Sequence, residues 1–164
     1  MELYILRHGE AGKSLGASVR DDKRSLTEQG RKDVQGAGEA IVELGIRFDH
    51  ILSSPLNRAA QTAELVARTT RSKTRVEFWD ELKPEGDQRA LCSKLSLLGR
   101  ESTVLVVGHE PYLTTLLRAI VGGNGARIVL KKSGLARVSV KKFGPEMSGE
   151  LRWLLSPRVL NRIS

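Results

Sequence analysis

Three short apolar runs end abruptly at polar residues without first alternating in polarity. This feature constrains the fold more than any other in the sequence. Leu3–Leu6 stops at Arg7-His8-Gly9, Ile51-Leu52 at Ser53-Ser54-Pro55, and the largely β-branched Val104–Val107 at Gly108-His109. A strand with one wet face alternates apolar and polar residues. A run that is apolar throughout must be covered on both faces, as at the centre of a parallel sheet.

Stripes at helical spacing lie between these runs. Val34, Ala37, Ile41 and Leu44 form one, with Thr27 as a predicted N-cap and Gly45 as a predicted stop. Ala59, Thr62, Ala63 and Val66 form the second, and Leu91, Leu95 and Leu98 the third. Leu113, Leu116, Leu117 and Ile120 form the fourth, with Pro111 near its first turn and Gly122-Gly123 after its end. Towards the C-terminus the period changes to two: Leu135–Phe143 alternates, Glu150–Leu155 is a second extended candidate, and 144–149 links them as a hairpin. The pattern predicts an α/β sandwich with a largely parallel central sheet and an antiparallel C-terminal edge. Residues 11–25 are polar and without apolar period. A loop of that length in a compact domain is usually functional or mobile.

At 164 residues the chain is expected to be one domain over 1–164, with 40% apolar and 28% charged residues supplying a core without staples. Cys92 is the only cysteine, which excludes a disulfide framework and a cysteine zinc site, and its place beside the third stripe suggests packing. No apolar run exceeds about five residues, so no membrane span is expected. The start of the chain, Glu2-Leu3-Tyr4-Ile5-Leu6, has no basic region followed by a long apolar stretch, and a cytoplasmic monomer is the expectation.

The net charge of +8 invites a nucleic-acid reading, but it is unevenly spread. Residues 126–164 hold nine basic and two acidic residues, while the first 125 hold 18 and 17. Aromatics are 4%, too few for single-strand stacking platforms. Alternating strand positions carry part of the charge, where a solvated face explains it. Nucleic acid is therefore not the expected partner.

The polar residues at the ends of the apolar runs distinguish the chain. The crevice beyond the carboxyl ends of parallel strands is where α/β sheets bind ligands. Arg7 and His8 stand at the first such end, Asn57-Arg58 just after the second, and His109 at the last. His50 precedes a strand, has no basic neighbours and is read as structural. Two guanidiniums match the oxygens of a phosphate. A neutral imidazole can attack phosphorus, and a second, protonated one can donate to the equatorial oxygens. The helix starting near Pro111 would aim its N-terminus at the same anion. Phosphoryl transfer needs mainly positioning and charge neutralisation, and this set offers both without a metal or cofactor.

These residues also carry a resemblance. "LRHGE" (Leu6–Glu10), "LTEQG" (Leu26–Gly30), "SSPLNRAAQTAE" (Ser53–Glu64) and "VVGHEP" (Val106–Pro111) resemble, in order, four blocks of the histidine phosphatase superfamily, and "SGLARV" (Ser133–Val138) resembles the approach to a late strand. The resemblance implies a three-layer α/β/α sandwich. It implies His8 as the nucleophile that becomes phosphohistidine, Arg7 and Arg58 as phosphate-binding residues, and His109 as the second pocket histidine. The short length and "ELKPEGD" (Glu81–Asp87) are similar to the compact, SixA-like branch of phosphohistidine phosphatases. In the mutase-like branch a general-acid Glu stands two residues after the leucine. Here Leu82 is followed by Lys83-Pro84.

That difference bears on substrate. An alkoxide leaving group needs a proton in the transition state, whereas a protonated phosphoimidazole leaves as neutral imidazole. The expected function is thus a metal-independent phosphatase acting on phosphohistidine in a partner protein. Glu81, Glu85, Asp87 and Glu10 are the carboxylates that could still serve as an acid, with Gly86-Asp87 alternatively capping the next helix. Dephosphorylation of small phosphomonoesters such as sugar phosphates or nucleotides is the alternative, and a polyanion-binding module using the basic C-terminal segment is the third reading.

Overall fold

A computed structural model describes residues 1–12, 23–123, 125 and 127–164. Most of the polar 11–25 segment lies outside the described residues. Among the described residues six strands form one sheet: β1 (Glu2–Arg7), β2 (His50–Ser53), β3 (Val76–Phe78), β4 (Thr103–Gly108), β5 (Leu135–Lys142) and β6 (Ser148–Leu155). Their order is β3-β2-β4-β1-β5-β6. The first four are parallel and β5 and β6 are antiparallel. The helices are α1 (Glu28–Glu43), α2 (Asn57–Thr69), α3 (Gln88–Leu95), α4 (Tyr112–Val121) and α5 (Pro157–Ile163), with a 3₁₀ turn at Asp80–Leu82.

The apolar runs lack alternation because both faces of the central strands are covered. Leu3, Ile5, Leu52, Val104 and Val106 face one core with Leu91 and Leu95 of α3 and Leu113, Leu116 and Leu117 of α4. Tyr4, Leu6, Ile51, Leu105 and Val107 face the other, with Val34, Ala37 and Ile41 of α1, Ala59, Ala63 and Val66 of α2, and Leu160 of α5. Cys92 is buried in the first core.

Sequence punctuation sets the helix ends. Thr27 caps α1 by accepting from Gly30 N at 3.0 Å, and Gly45 takes φ +65° after its end. The Asp87 carboxylate accepts from the amides of Arg89 and Ala90 and caps α3. That helix ends at Leu95, so Leu98 lies beyond it. Two elements escape sequence patterning. β3 has three residues, two of them exposed, and α5 has seven, of which only Leu160 is buried.

β1 and β4 are neighbours, yet the helix after β1 packs on one face of the sheet and the helix after β4 on the other. The two connections diverge and leave a crevice at the carboxyl ends of these strands, a topological switch point.

Candidate active site

The crevice receives its side chains from three strand ends in register. Arg7 pairs with Gly108, and the ladder runs one step further because His8 N donates to Gly108 O at 3.1 Å. Ser53 pairs with Val107, and Ser54 N donates to Val107 O at 3.0 Å. His8, Ser54 and His109 therefore lie side by side. The His8 and His109 rings are 5.0 Å apart between centroids, and both are buried.

The hydrogen bonds of His8 define its chemistry. Its Nδ1–H donates to Gly9 O at 2.7 Å, which leaves a lone pair on Nε2. Arg58 Nε–H donates to that Nε2 at 3.2 Å, from the first turn of α2. Burial lowers the His8 pKa to about 4. The hydrogen bond to Gly9 opposes the shift, and the guanidiniums of Arg58, Arg7 and Arg24 add to it. The ring is neutral at pH 7.

Arg7 is held by a segment far away in the chain. Its Nη1 donates to Leu130 O at 3.0 Å, its backbone N donates to Gly134 O at 3.1 Å, and its carbonyl accepts from Ser133 N at 3.1 Å. The "SGLARV" block thus contributes by bracing the end of β1. On the other side, His109 Nε2 shares a hydrogen bond of 2.8 Å with Ser54 Oγ.

The loop after His8 is clamped from α1 and α2. Gly9 N donates to Thr62 Oγ1 at 3.1 Å, and Thr62 Oγ1 donates to Arg58 O at 2.7 Å. Glu10 O accepts from Thr27 N at 2.9 Å. A Cβ on Gly30 would stand 2.2 Å from Glu10 O, so the glycine of "LTEQG" lets the start of α1 touch the backbone beside the nucleophile.

Of the carboxylates weighed as general acids, Glu81, Asp87 and Glu10 have partners of their own and Glu85 is exposed. Glu81 receives Lys94 Nζ on both oxygens, at 3.0 and 2.9 Å, which holds its carboxyl below the usual range. Asp87 caps α3. Glu10 accepts from Thr27 Oγ1 at 3.2 Å and lies 3.6 Å from Lys132. Glu85 is exposed. Glu110, next to His109, accepts from both the amide and the hydroxyl of Thr114 at the start of α4.

The structure brings together Arg7, His8, Arg58 and His109 and keeps His50 apart. His50 begins β2 at the opposite end of the sheet, with its ring nitrogen 3.9 Å from Glu77. The roles of Ser54, Thr62, Arg24 and Leu130 were missed. The serine and threonine sat inside the recognised "SSPLNRAAQTAE" block, the only signal available for them. The basic C-terminal segment is dispersed: Arg137 pairs with Glu2 at 2.7 Å, and Lys141 and Arg152 share Glu150 at 3.7 and 3.2 Å.

Among the described residues no group of three or more His, Cys, Asp or Glu is placed to hold a metal ion. Among them no helix is long and apolar enough to cross a membrane.

Comparison with known proteins gives a consistent result. The family model described as "Histidine phosphatase superfamily (branch 1)" matches residues 3–84. The phosphohistidine phosphatase SixA of Escherichia coli (strain K12) is 29% identical over 159 residues, covering 96% of this chain and 94% of that protein. An uncharacterized protein of Picosynechococcus sp. is 32% identical over 165 residues, 98% of this chain and 99% of the relative. A solved structure of the protein histidine phosphatase SixA complexed with tungstate superposes with a TM-score of 0.84 at 28% identity, over 98% of this chain and 99% of that one.

Proposed function

The chain belongs to the histidine phosphatase superfamily and is a phosphatase, and on that premise we propose that it removes the phosphoryl group from phosphohistidine in a partner protein by way of a phosphohistidine on His8. The observation that carries the reading is a buried, neutral His8 whose Nε2 lone pair faces the Arg58 guanidinium, while Glu81, Asp87 and Glu10 are engaged by other groups.

In the first step His8 Nε2 attacks phosphorus. Arg7 and Arg58 receive the equatorial oxygens as planar, bidentate donors, and His109, oriented by Ser54, donates to a third. The structurally similar SixA is complexed with tungstate, an oxyanion of phosphate-like charge, which supports a phosphoryl group as the ligand. The bond from phosphorus to the partner's ring nitrogen breaks, and its electron pair stays on that nitrogen. A partner ring protonated at its other nitrogen departs as neutral imidazole, so no protein acid is required. Water then attacks the phosphorus on His8. The P–N bond breaks towards Nε2, inorganic phosphate carries the water's proton away, and the Nδ1–H still bound to Gly9 O makes His8 a neutral leaving group. No metal ion enters either step.

The test compares a protein phosphorylated on histidine with sugar phosphates and nucleotides as substrates. The expected result is a much higher kcat/KM for the phosphohistidine protein, with His8→Ala losing both turnover and the acid-labile phosphoenzyme. Preference for the esters overturns the substrate class. Full turnover by His8→Ala overturns the role of His8.

A further inference from the structure

At the amino ends of the parallel strands, a cleft of about 550 Å³ opens between the loop after α1 and the loop after α2. It lies at the opposite end of the strands from His8. Arg58 and Thr69 bound the span of α2 between the two sites, eleven residues and about 16 Å at the helical rise. Arg47 stands on one wall and Arg71 and Lys73 on the other. No acidic residue lines the cleft, and among the described residues none of the three cations has an ion-pair partner. Thr74 Oγ1 donates to Phe48 O at 2.9 Å, tying the two walls together, so the cleft is preformed.

Cations collect at helix C-termini for a general reason: they neutralise unpaired carbonyls. That reason does not account for this cluster. Both helices end in the same self-capped motif, with Ile46 N donating to Ile41 O and Ser72 N to Ala67 O. Three of the last four carbonyls of each helix, Ala40, Ile41 and Val42 in α1 and Val66, Ala67 and Arg68 in α2, already accept from backbone amides. The two motifs differ at the left-handed position. α1 places Gly45 there, at φ +65°, and α2 places Arg71, at φ 49°. A left-handed arginine costs about 1 kcal/mol relative to glycine in the same turn. An exposed arginine thus lines the cleft at a position where the backbone prefers glycine, on the wall facing Arg47.

We propose that this cleft is a binding site for a short polyphosphate chain, free or carried by a nucleoside. Two guanidiniums and an ammonium on facing walls match several phosphate groups joined in a row. The half-exposed Val42 at the edge offers an apolar surface that a nucleoside, and not free polyphosphate, would cover. The proposal is independent of the substrate assigned to His8.

Sodium tripolyphosphate and ATP, titrated separately into the full chain and followed by backbone amide NMR, test it. Saturable shifts centred on Arg47 and Arg71–Thr74 are expected, weakened at least tenfold in Arg71→Gly and in the double variant Arg47→Gln, Lys73→Gln. Arg71→Gly relieves the left-handed residue, so its melting temperature should equal or exceed the parent's, and lost binding cannot then be attributed to unfolding. Tighter binding of ATP than of tripolyphosphate identifies a nucleotide as the ligand, and equal binding identifies the free polyphosphate. Shifts confined to Arg7, His8 and Arg58, or affinities unchanged by both sets of substitutions, overturn the proposal.

Discussion

The Nε–H of Arg58 points at Nε2 of His8 from 3.2 Å, so the proposed nucleophile rests with its lone pair engaged by a guanidinium. The engagement keeps a proton off Nε2 without consuming the lone pair chemically, and it ends as phosphorus approaches. The same guanidinium then lies beside the phosphoryl oxygens. Arg58 can play both parts because α2 begins directly after the Ser53–Pro55 strand end.

Replacing Arg58 by Gln should lower kcat by about 10²- to 10³-fold, the usual loss for one aligned transition-state donor. Arg58→Lys should recover little, because an ammonium lacks the planar fork. Single-turnover phosphoenzyme formation measures this step directly. The charge of Arg58 helps keep the His8 pKa low, so Arg58→Gln should also raise that pKa.

His8 itself should titrate far below an ordinary histidine. Its folded pKa is about 4 against an ordinary 6.5, set first by burial. Between those two values the unfolded chain binds a proton that the folded chain refuses. Stability is therefore unaffected by this group above pH 6.5 and falls as pH drops from about 6.5 towards about 4. Imidazole nitrogen NMR should show the Nδ1–H tautomer of His8 unchanged down to pH 5. A midpoint near 6.5 would contradict the buried, guanidinium-flanked setting.

Gly30 and Gly36 both lie on α1, but substituting them should have different consequences. A Cβ on Gly30 meets backbone, 2.2 Å from Glu10 O and 2.8 Å from Glu10 N, two residues from His8. A Cβ on Gly36 meets the Asn161 side chain on the terminal helix α5, which can turn away. Gly30→Ala should cost about 1–3 kcal/mol of stability, as overpacking usually does, and should also reduce turnover. Gly36→Ala should leave turnover intact. Urea unfolding and steady-state kinetics on the two variants separate these effects.

The parts of the fold readable in the sequence were those with dense local coding. β1, β2 and β4 are covered on both faces and read as unbroken apolar runs, while Thr27, Gly45 and Asp87 mark helix ends by their own chemistry. β3 left no such trace because it is a three-residue, mostly exposed edge strand. In the site, Arg7, His8 and His109 were visible because strand ends place them, and Arg58 because it opens the helix that follows such an end. The bracing of Arg7 by Leu130 crosses 123 positions, and Arg24 acts on His8 only through its field. No periodicity encodes contacts of that kind. Ser54, just past β2, and Thr62, in α2, were hidden for another reason: a buried hydroxyl looks like packing until its partner is known.

Thr62 can be tested for a role beyond packing. It is fully buried in α2, and its one hydroxyl accepts from Gly9 N at 3.1 Å and donates to Arg58 O at 2.7 Å. Thr62→Val keeps the shape and removes the oxygen, leaving the Gly9 amide without that acceptor beside the nucleophile. An unsatisfied buried donor costs about 1–3 kcal/mol, so unfolding should shift by that amount. Gly9 O also receives the Nδ1–H of His8, so movement of this peptide should loosen the tautomer that exposes Nε2. The valine variant should therefore lose kcat with little change in KM, while Thr62→Ser, which keeps the oxygen, restores most of it. If the valine variant lost stability but kept its kcat, Thr62 would be a packing residue and the clamp on Gly9 would play no part in presenting His8.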